Sequence, residues 1–105
     1  MENKNTADII NKIYQLIIDR KKQKKENSYS SFLLEEGEDK ILRKIAEESN
    51  EVVLASKNNK KEEIIHEIAD VWFHLLVLIG NKNINPENMY LELLRRANKG
   101  KIDNK

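Results

Sequence analysis

Two short acidic segments carry the chemistry this sequence is equipped for: Glu47-Glu48-Ser49-Asn50-Glu51 and Glu67-Ile68-Ala69-Asp70. In each, one acid follows another by three residues, so on a helix Glu48 and Glu51 project from one face, as do Glu67 and Asp70. Projected at about 100° per residue, Glu48 falls between Ile41 and Ala55, at the edge of an apolar stripe. Glu67 lies just outside a second stripe, with Asp70 and His74 beside it. If the two helices form an antiparallel hairpin, four carboxylates converge near their seam. Like charges partly removed from water take up protons or require a cation. A hard divalent ion with oxygen ligands resolves the repulsion, and Mg²⁺ accepts carboxylates together with waters and phosphates. A water made more acidic by such an ion can attack phosphorus, while the ion steadies the leaving group. The competing reading is that these acids are solvated, or paired with Lys44, Lys57, Lys60 and Lys61.

Other polar residues have two readings each. The basic run Arg20, Lys21, Lys22, Lys24 and Lys25 either steers phosphates or is a solvated helix end. His74 either touches a substrate or is a satisfied histidine at the core edge. Arg95 and Arg96 either clamp a phosphate or answer the negative end of a helix dipole. Trp72 reads as core. Cysteine is absent, which excludes disulfides, thiolate metal sites and thiol nucleophiles. No nucleophilic triad and no zinc site can be assembled from the histidines.

The elements that must position these residues are helices. The chain has 105 residues, room for a single domain (1–105), and is 39% hydrophobic and 35% charged, enough for one modest core under a very polar surface. Three glycines and one proline leave little punctuation. Thr6 is the expected N-cap of a first helix bearing Ile9, Ile10, Ile13, Leu16 and Ile17 on one side. From about residue 22 to Gly37 no period is evident, and this stretch, with Asn27, Ser28, Tyr29, Ser30 and Ser31, reads as a flexible loop. A second helix is expected from Glu38 to about Lys57. A third should run from Lys61 to Ile79, with Ile64, Ile65, Ile68, Val71, Trp72, Leu75, Leu76 and Ile79 inward and Gly80 as C-cap. Its last turns are apolar nearly all round, which calls for burial against a partner subunit. Asn85 as N-cap and Pro86 at the first position open a fourth helix, with Met89, Leu93, Leu94 and Ala97 inward and Gly100 at its close. The fold class is therefore all-α, a four-or-so-helix antiparallel bundle completed by homodimerisation. A net charge of +1 argues against a nucleic-acid polycation. No stretch approaches the roughly 20 apolar residues of a membrane span. With no signal-peptide core at the N-terminus, a cytoplasmic protein is expected.

Taken in order, these segments resemble the phosphoribosyl-ATP pyrophosphatases of histidine biosynthesis, within the all-α nucleotide pyrophosphatase superfamily. The resemblance runs from Ile13-Tyr14 and Arg20-Lys21-Lys22 through Ser28-Tyr29-Ser30 to Gly37-Glu38-Asp39-Lys40-Ile41-Leu42-Arg43-Lys44. It continues through Glu47-Glu48-Ser49-Asn50-Glu51-Val52-Val53, Glu67-Ile68-Ala69-Asp70 and His74-Leu75-Leu76-Val77-Leu78, and ends in Leu94-Arg95-Arg96. Ser30 stands where threonine is usual, and Trp72-Phe73 replaces an aliphatic-tyrosine pair. The acidic pattern alone points to the superfamily; the Ser-Tyr segment, the Gly-to-Lys segment and Leu-Arg-Arg make it specific. The resemblance implies Mg²⁺-dependent hydrolysis of phosphoribosyl-ATP to phosphoribosyl-AMP and pyrophosphate by a homodimer, with Mn²⁺ as a possible substitute. It implies Glu48, Glu51, Glu67 and Asp70 as metal ligands, with Glu47 holding a second ion or orienting the attacking water. Ser28 and Tyr29 would lie over the substrate, and Lys40, Lys44, Lys57, His74, Arg95 and Arg96 would contact it. Two rivals remain: a housekeeping pyrophosphatase for dUTP, dCTP or unusual triphosphates, and a helical interaction module whose acids are merely solvated.

Overall fold

Two uninterrupted apolar stripes separated by Asn58-Asn59-Lys60 dictate a pair of long helices, and the rest of the chain packs around them. The structure, a computed structural model, describes Thr6 and residues 8–100. Among these residues there are five helices and no strand: α1 (Ile9–Lys22), α2 (Tyr29–Glu36), α3 (Glu38–Asn58), α4 (Lys61–Asn81) and α5 (Pro86–Asn98). α3 and α4 make the most extensive contact, and α1 packs on α4. Asn59 adopts the left-handed conformation (φ 56°), and its N–H bonds the carbonyls of Ala55 and Ser56. This closes α3 and turns the chain back into α4, an antiparallel αα-hairpin.

α1, α2, α3 and α4 each contribute to one core, in which Ile17, Leu33, Ile41, Leu76 and Val77 are buried. Ile10, Ile13, Ile45, Phe73 and Ile79 pack against it. α5 begins as its sequence dictates: the Asn85 side chain accepts from Glu87 N–H at 2.9 Å, with Pro86 in the first turn.

Four expectations are corrected. α1 starts at Ile9 with Asp8 at the cap position and no side-chain cap bond; Thr6 contributes only its carbonyl, which accepts from Ile9 N–H at 3.2 Å. The stretch from 22 to 37 is not structureless, since α2 occupies Tyr29–Glu36. Eight residues are too few to display a period. Instead, Ser28 caps the helix by accepting from Ser31 N–H at 3.1 Å, and Leu33 anchors it in the core. Gly80 is not the cap of α4 but a buried position inside it. A Cβ there would stand 2.7 Å from Ile17 Cγ2, so glycine permits α1 and α4 to touch. The helix closes later, where Ile84 N–H bonds Ile79 O (2.8 Å) and Asn83 N–H bonds Gly80 O (3.2 Å), with Asn83 left-handed at φ 61°.

The fourth correction concerns burial. Trp72 and Ile65, read as core, are each 57% exposed, and Ile68, Leu75, Met89, Leu93 and Leu94 are exposed with them. Periodicity assigned these residues to apolar faces correctly, but among the described residues of one chain nothing covers them. Trp72, Leu75, Ile79, Met89 and Leu93 line an apolar groove between α4 and α5. No helix among the described residues is long and apolar enough to cross a membrane.

Candidate functional site

The α3–α4 hairpin brings the acidic segments to the same level. Glu48 stands eleven residues before Asn59 and Asp70 ten after Lys60. Glu51 and Glu67 stand eight before and seven after the same residues. Because both helices rise by the same increment per residue, Glu48 faces the level of Asp70, and Glu51 that of Glu67. Lys40, Lys44, Glu48 and Glu51 follow one another at four- and three-residue steps on one face of α3.

On the α3 side, the Lys44 ammonium lies 3.4 Å from a Glu48 carboxylate oxygen and 3.5 Å from one of Glu47. The Glu48 side chain is only 15% exposed, as its place beside the stripe requires. Burial pulls Lys44 down, but the Tyr29 hydroxyl, Glu48 and Glu47 outweigh it and hold the ammonium above its ordinary value. Glu51 is exposed one turn further on.

On the α4 side, Glu67 and Asp70 are joined by a residue the sequence reading passed over. Ligand atoms of His66, Glu67 and Asp70 all lie within 4.8 Å of one another, and His66 Nε2 is 3.5 Å from Asp70 Oδ2. The signal was available in the four-residue spacing of His66 and Asp70.

Tyr29, the first residue of α2, docks on the α4 side. Its hydroxyl is 3.0 Å from His74 Nε2, and His74 Nδ1 is 2.7 Å from the main-chain oxygen of Asp70. The Tyr29 ring stacks on Phe32 and on Phe73, with centroids 6.2 and 6.0 Å away. Partial burial pushes the Tyr29 hydroxyl up from 10.0; Lys44 pulls it down, and Glu48, Asp70 and Glu47 push it up. The hydroxyl therefore sits within the field of both acidic segments.

The remaining candidates are not drawn to this cluster in a single chain. Ser28 is occupied in capping α2. Lys40 Nζ stands over the Phe32 ring at 5.9 Å. Lys57 lies nine residues beyond Glu48, about 13 Å along the helix. Arg95 and Arg96 both pair with Glu92 on their own helix and hold its carboxyl down to about 2. In the basic run, Lys21 closes the end of α4, donating to Gly80 O (3.1 Å), Asn81 O (3.0 Å) and Asn83 Oδ1 (2.7 Å). Lys24 pairs with Glu35 at 2.8 Å.

Among the described residues, the ligand atoms that stand within reach of one another are those of His66, Glu67 and Asp70 on α4. Glu48 and Glu51 face that level from α3 without joining the group, and with them the set would be mainly carboxylate oxygens. That set fits a hard cation with oxygen ligands.

A family model described as "Phosphoribosyl-ATP pyrophosphohydrolase" matches residues 10–97. Among curated proteins, the chain is 47% identical over 89 residues to a "Phosphoribosyl-ATP pyrophosphatase" of Geotalea daltonii, covering 85% of this chain and 84% of that one. It is 48% identical over 92 residues to one of Clostridium acetobutylicum, covering 88% and 84%. It is also 47% identical over 98 residues to the "Histidine biosynthesis bifunctional protein HisIE" of Caldanaerobacter subterraneus, covering 93% of this chain and 48% of that longer protein.

Proposed function

We propose that this chain, which belongs to the phosphoribosyl-ATP pyrophosphohydrolase family, hydrolyses phosphoribosyl-ATP to phosphoribosyl-AMP and pyrophosphate in histidine biosynthesis. The observation that carries the reading is that the family match over residues 10–97 spans every residue of the candidate site, from Ser28 to Arg96.

The reading takes Mg²⁺ as the cofactor, with Mn²⁺ as a substitute that an oxygen-ligand site accepts. Glu48 and Glu51 from α3, with Glu67 and Asp70 from α4, would hold it. When bound, the ion supplies charge to the pyrophosphate and acidity to the attacking water. The chain's own groups do the rest. Lys44 neutralises part of the α3 carboxylates and stands where a substrate phosphate would enter, with Lys40 one turn before it. Glu47, half-exposed beside Glu48, holds a second ion or orients the water. Ser28 and Tyr29 place the N-terminus of α2 over the substrate.

A second copy of the chain would cover the apolar groove of α4 and α5, so the working unit is a homodimer of single-domain protomers. Lys57, Arg95 and Arg96 are assigned to phosphate contacts of that assembly rather than of one chain. The compartment is taken to be the cytoplasm, and neither nucleic acid nor membrane is a partner.

The test is pyrophosphate release by the purified chain, with Mg²⁺ and with a chelator, from phosphoribosyl-ATP and from a panel including dUTP and dCTP. Release from phosphoribosyl-ATP that chelation abolishes is expected. Release from dUTP or dCTP instead moves the chain to a housekeeping role. No release from any nucleotide, by folded protein, leaves an interaction module.

A further inference from the structure

Tyr29 and His74 meet across 45 positions of sequence, and for an uncharged imidazole the hydrogens on this pair follow from their partners. His74 Nδ1 faces the main-chain oxygen of Asp70 at 2.7 Å. A carbonyl oxygen only accepts, so Nδ1 carries a proton. In the neutral imidazole the other nitrogen is then an acceptor. Nε2 faces the Tyr29 hydroxyl at 3.0 Å, so the hydroxyl donates to the ring. Its one hydrogen is committed there, and what it leaves on its outward side is a pair of acceptor sites. Phosphate oxygens also accept. A Tyr29 held this way has no hydrogen to give a phosphate.

His74 itself cannot reach a substrate. It is 3% exposed, and its ring meets Phe73 edge-on at 5.2 Å and Tyr29 edge-on at 5.7 Å. Both of its nitrogens have partners, one on α2 and one on α4. The Tyr29 ring is fixed in turn by stacking on Phe32 and Phe73. Geometry therefore leaves His74 one route to the chemistry, through the orientation of the Tyr29 hydroxyl.

We propose that His74 is a positioning residue that makes the Tyr29 hydroxyl a hydrogen-bond acceptor at the N-terminus of α2, linked through the His74 ring to the turn of α4 that carries Asp70, where it orients a donor such as the reacting water instead of donating to phosphate. The proposal rests on the pyrophosphatase reading, since it concerns the same site. It replaces the direct substrate contact expected of His74 by an indirect one through Tyr29.

The tautomer is tested first, by NMR of the histidine ring nitrogens in the full chain at neutral pH without metal or substrate; a His66→Gln variant assigns the two rings. A proton on Nδ1 and none on Nε2 is expected. A proton on Nε2 overturns the proposal, because Tyr29 would then be free to donate outward. Steady-state kinetics with phosphoribosyl-ATP follow, for Tyr29→Phe, His74→Phe, His74→Gln and the double Phe variant. Each Phe variant is expected to lose about tenfold or more in kcat with KM moved by less than about threefold. The double variant should be no slower than the slower single one, since both remove the same oriented oxygen. His74→Gln keeps an acceptor near the Nε2 position and should retain more kcat than His74→Phe. A rise in KM with kcat kept, or losses that multiply in the double variant, refutes the proposal. A wild-type chain that releases no pyrophosphate sinks the functional reading instead, and the tautomer result still decides the orientation of Tyr29.

Discussion

Replacing Gly80 by alanine sets a local preference against a tertiary contact. In an exposed helix the change is favourable by about 1 kcal/mol. Here the added Cβ would stand 2.7 Å from Ile17 Cγ2, and Ile17 is fully buried. A β-branched side chain in a helix has essentially one χ1 state, so Cγ2 cannot swing aside. α1 and α4 must separate, at about 1–3 kcal/mol for overpacking of this kind. Separation also strains the Lys21 bonds to Gly80 O and Asn81 O, each worth about 1 kcal/mol. The net expectation is a loss of about 1–2 kcal/mol, or roughly 4–8 °C in Tm per kcal/mol for a domain of this size. Thermal and urea unfolding at one fixed protein concentration measure it, since assembly would make Tm concentration-dependent. Ile17→Leu removes Cγ2, at a cost of its own below about 1.5 kcal/mol. The double variant should therefore be more stable than the two single losses added together, by about 1 kcal/mol. Gly80→Ala as stable as the parent, or strict additivity with Ile17→Leu, would refute the account of the crossing.

Two further predictions address the site and the end of α5. Glu48→Gln should abolish pyrophosphate release. Lys44 keeps Glu47 as a partner at 3.5 Å, so the variant should unfold in chelator within about 0.5 kcal/mol of the parent, or above it. The parent should gain about 2.7 kcal/mol from Mg²⁺ at a hundred times its dissociation constant, and the variant should lose that gain; unfolding of Glu48→Gln with activity kept per folded molecule would contradict the assignment. Glu92, held at about 2 by Arg95 and Arg96, should titrate near that value by carbon-detected NMR. Its depressed value means the pairing favours the folded chain above the ordinary 4.5 and fades as pH falls toward 2. A midpoint near 4.5 would show that the arginines are not paired with it.

Much of the architecture was legible because it rests on local chemistry. Asn85 and Pro86 announce α5, and the Asn58-Asn59 interruption separates α3 from α4. What misled were residues whose meaning lies across the fold. Gly80 follows a long apolar run, where a C-cap glycine belongs, and only the touching Ile17 reveals the other reason for glycine. Trp72 sits on an apolar face, but periodicity states the face and not what covers it. α2 is too short to show a period, and its one plain signal, Ser28 before a helix, lay among other serines. The short turn between α3 and α4 was legible, and with it the matching levels of Glu48 with Asp70 and of Glu51 with Glu67. Tyr29 meeting His74 has no local signature, because α2 must first fold onto α4. For Arg95 and Arg96 the hint was present and passed over, since Glu92 stands three and four residues before them on the same helix.

The two halves of the cluster are electrically unequal, and this bears on where a cation would be needed. On α3, Lys44 already supplies one positive charge to Glu47 and Glu48, so that side can remain folded with no ion. On α4, the ion-pair partner of Asp70 among the described residues is His66, and no lysine or arginine there stands within 4.0 Å of Glu67 or Asp70. A divalent ion would therefore relieve more repulsion at Glu67 and Asp70 than at Glu48, while Lys44 stays free to meet a phosphate as the carboxylates turn to the ion. Asp70 connects this electrostatic demand to the rest of the site. Its carboxylate belongs to the α4 acids, whereas its main-chain oxygen fixes His74 and, through it, Tyr29. A shift of that one turn of α4 toward an ion would be transmitted to the N-terminus of α2. The segment proposed to lie over the substrate is thus anchored to the same residue that would sense the cation.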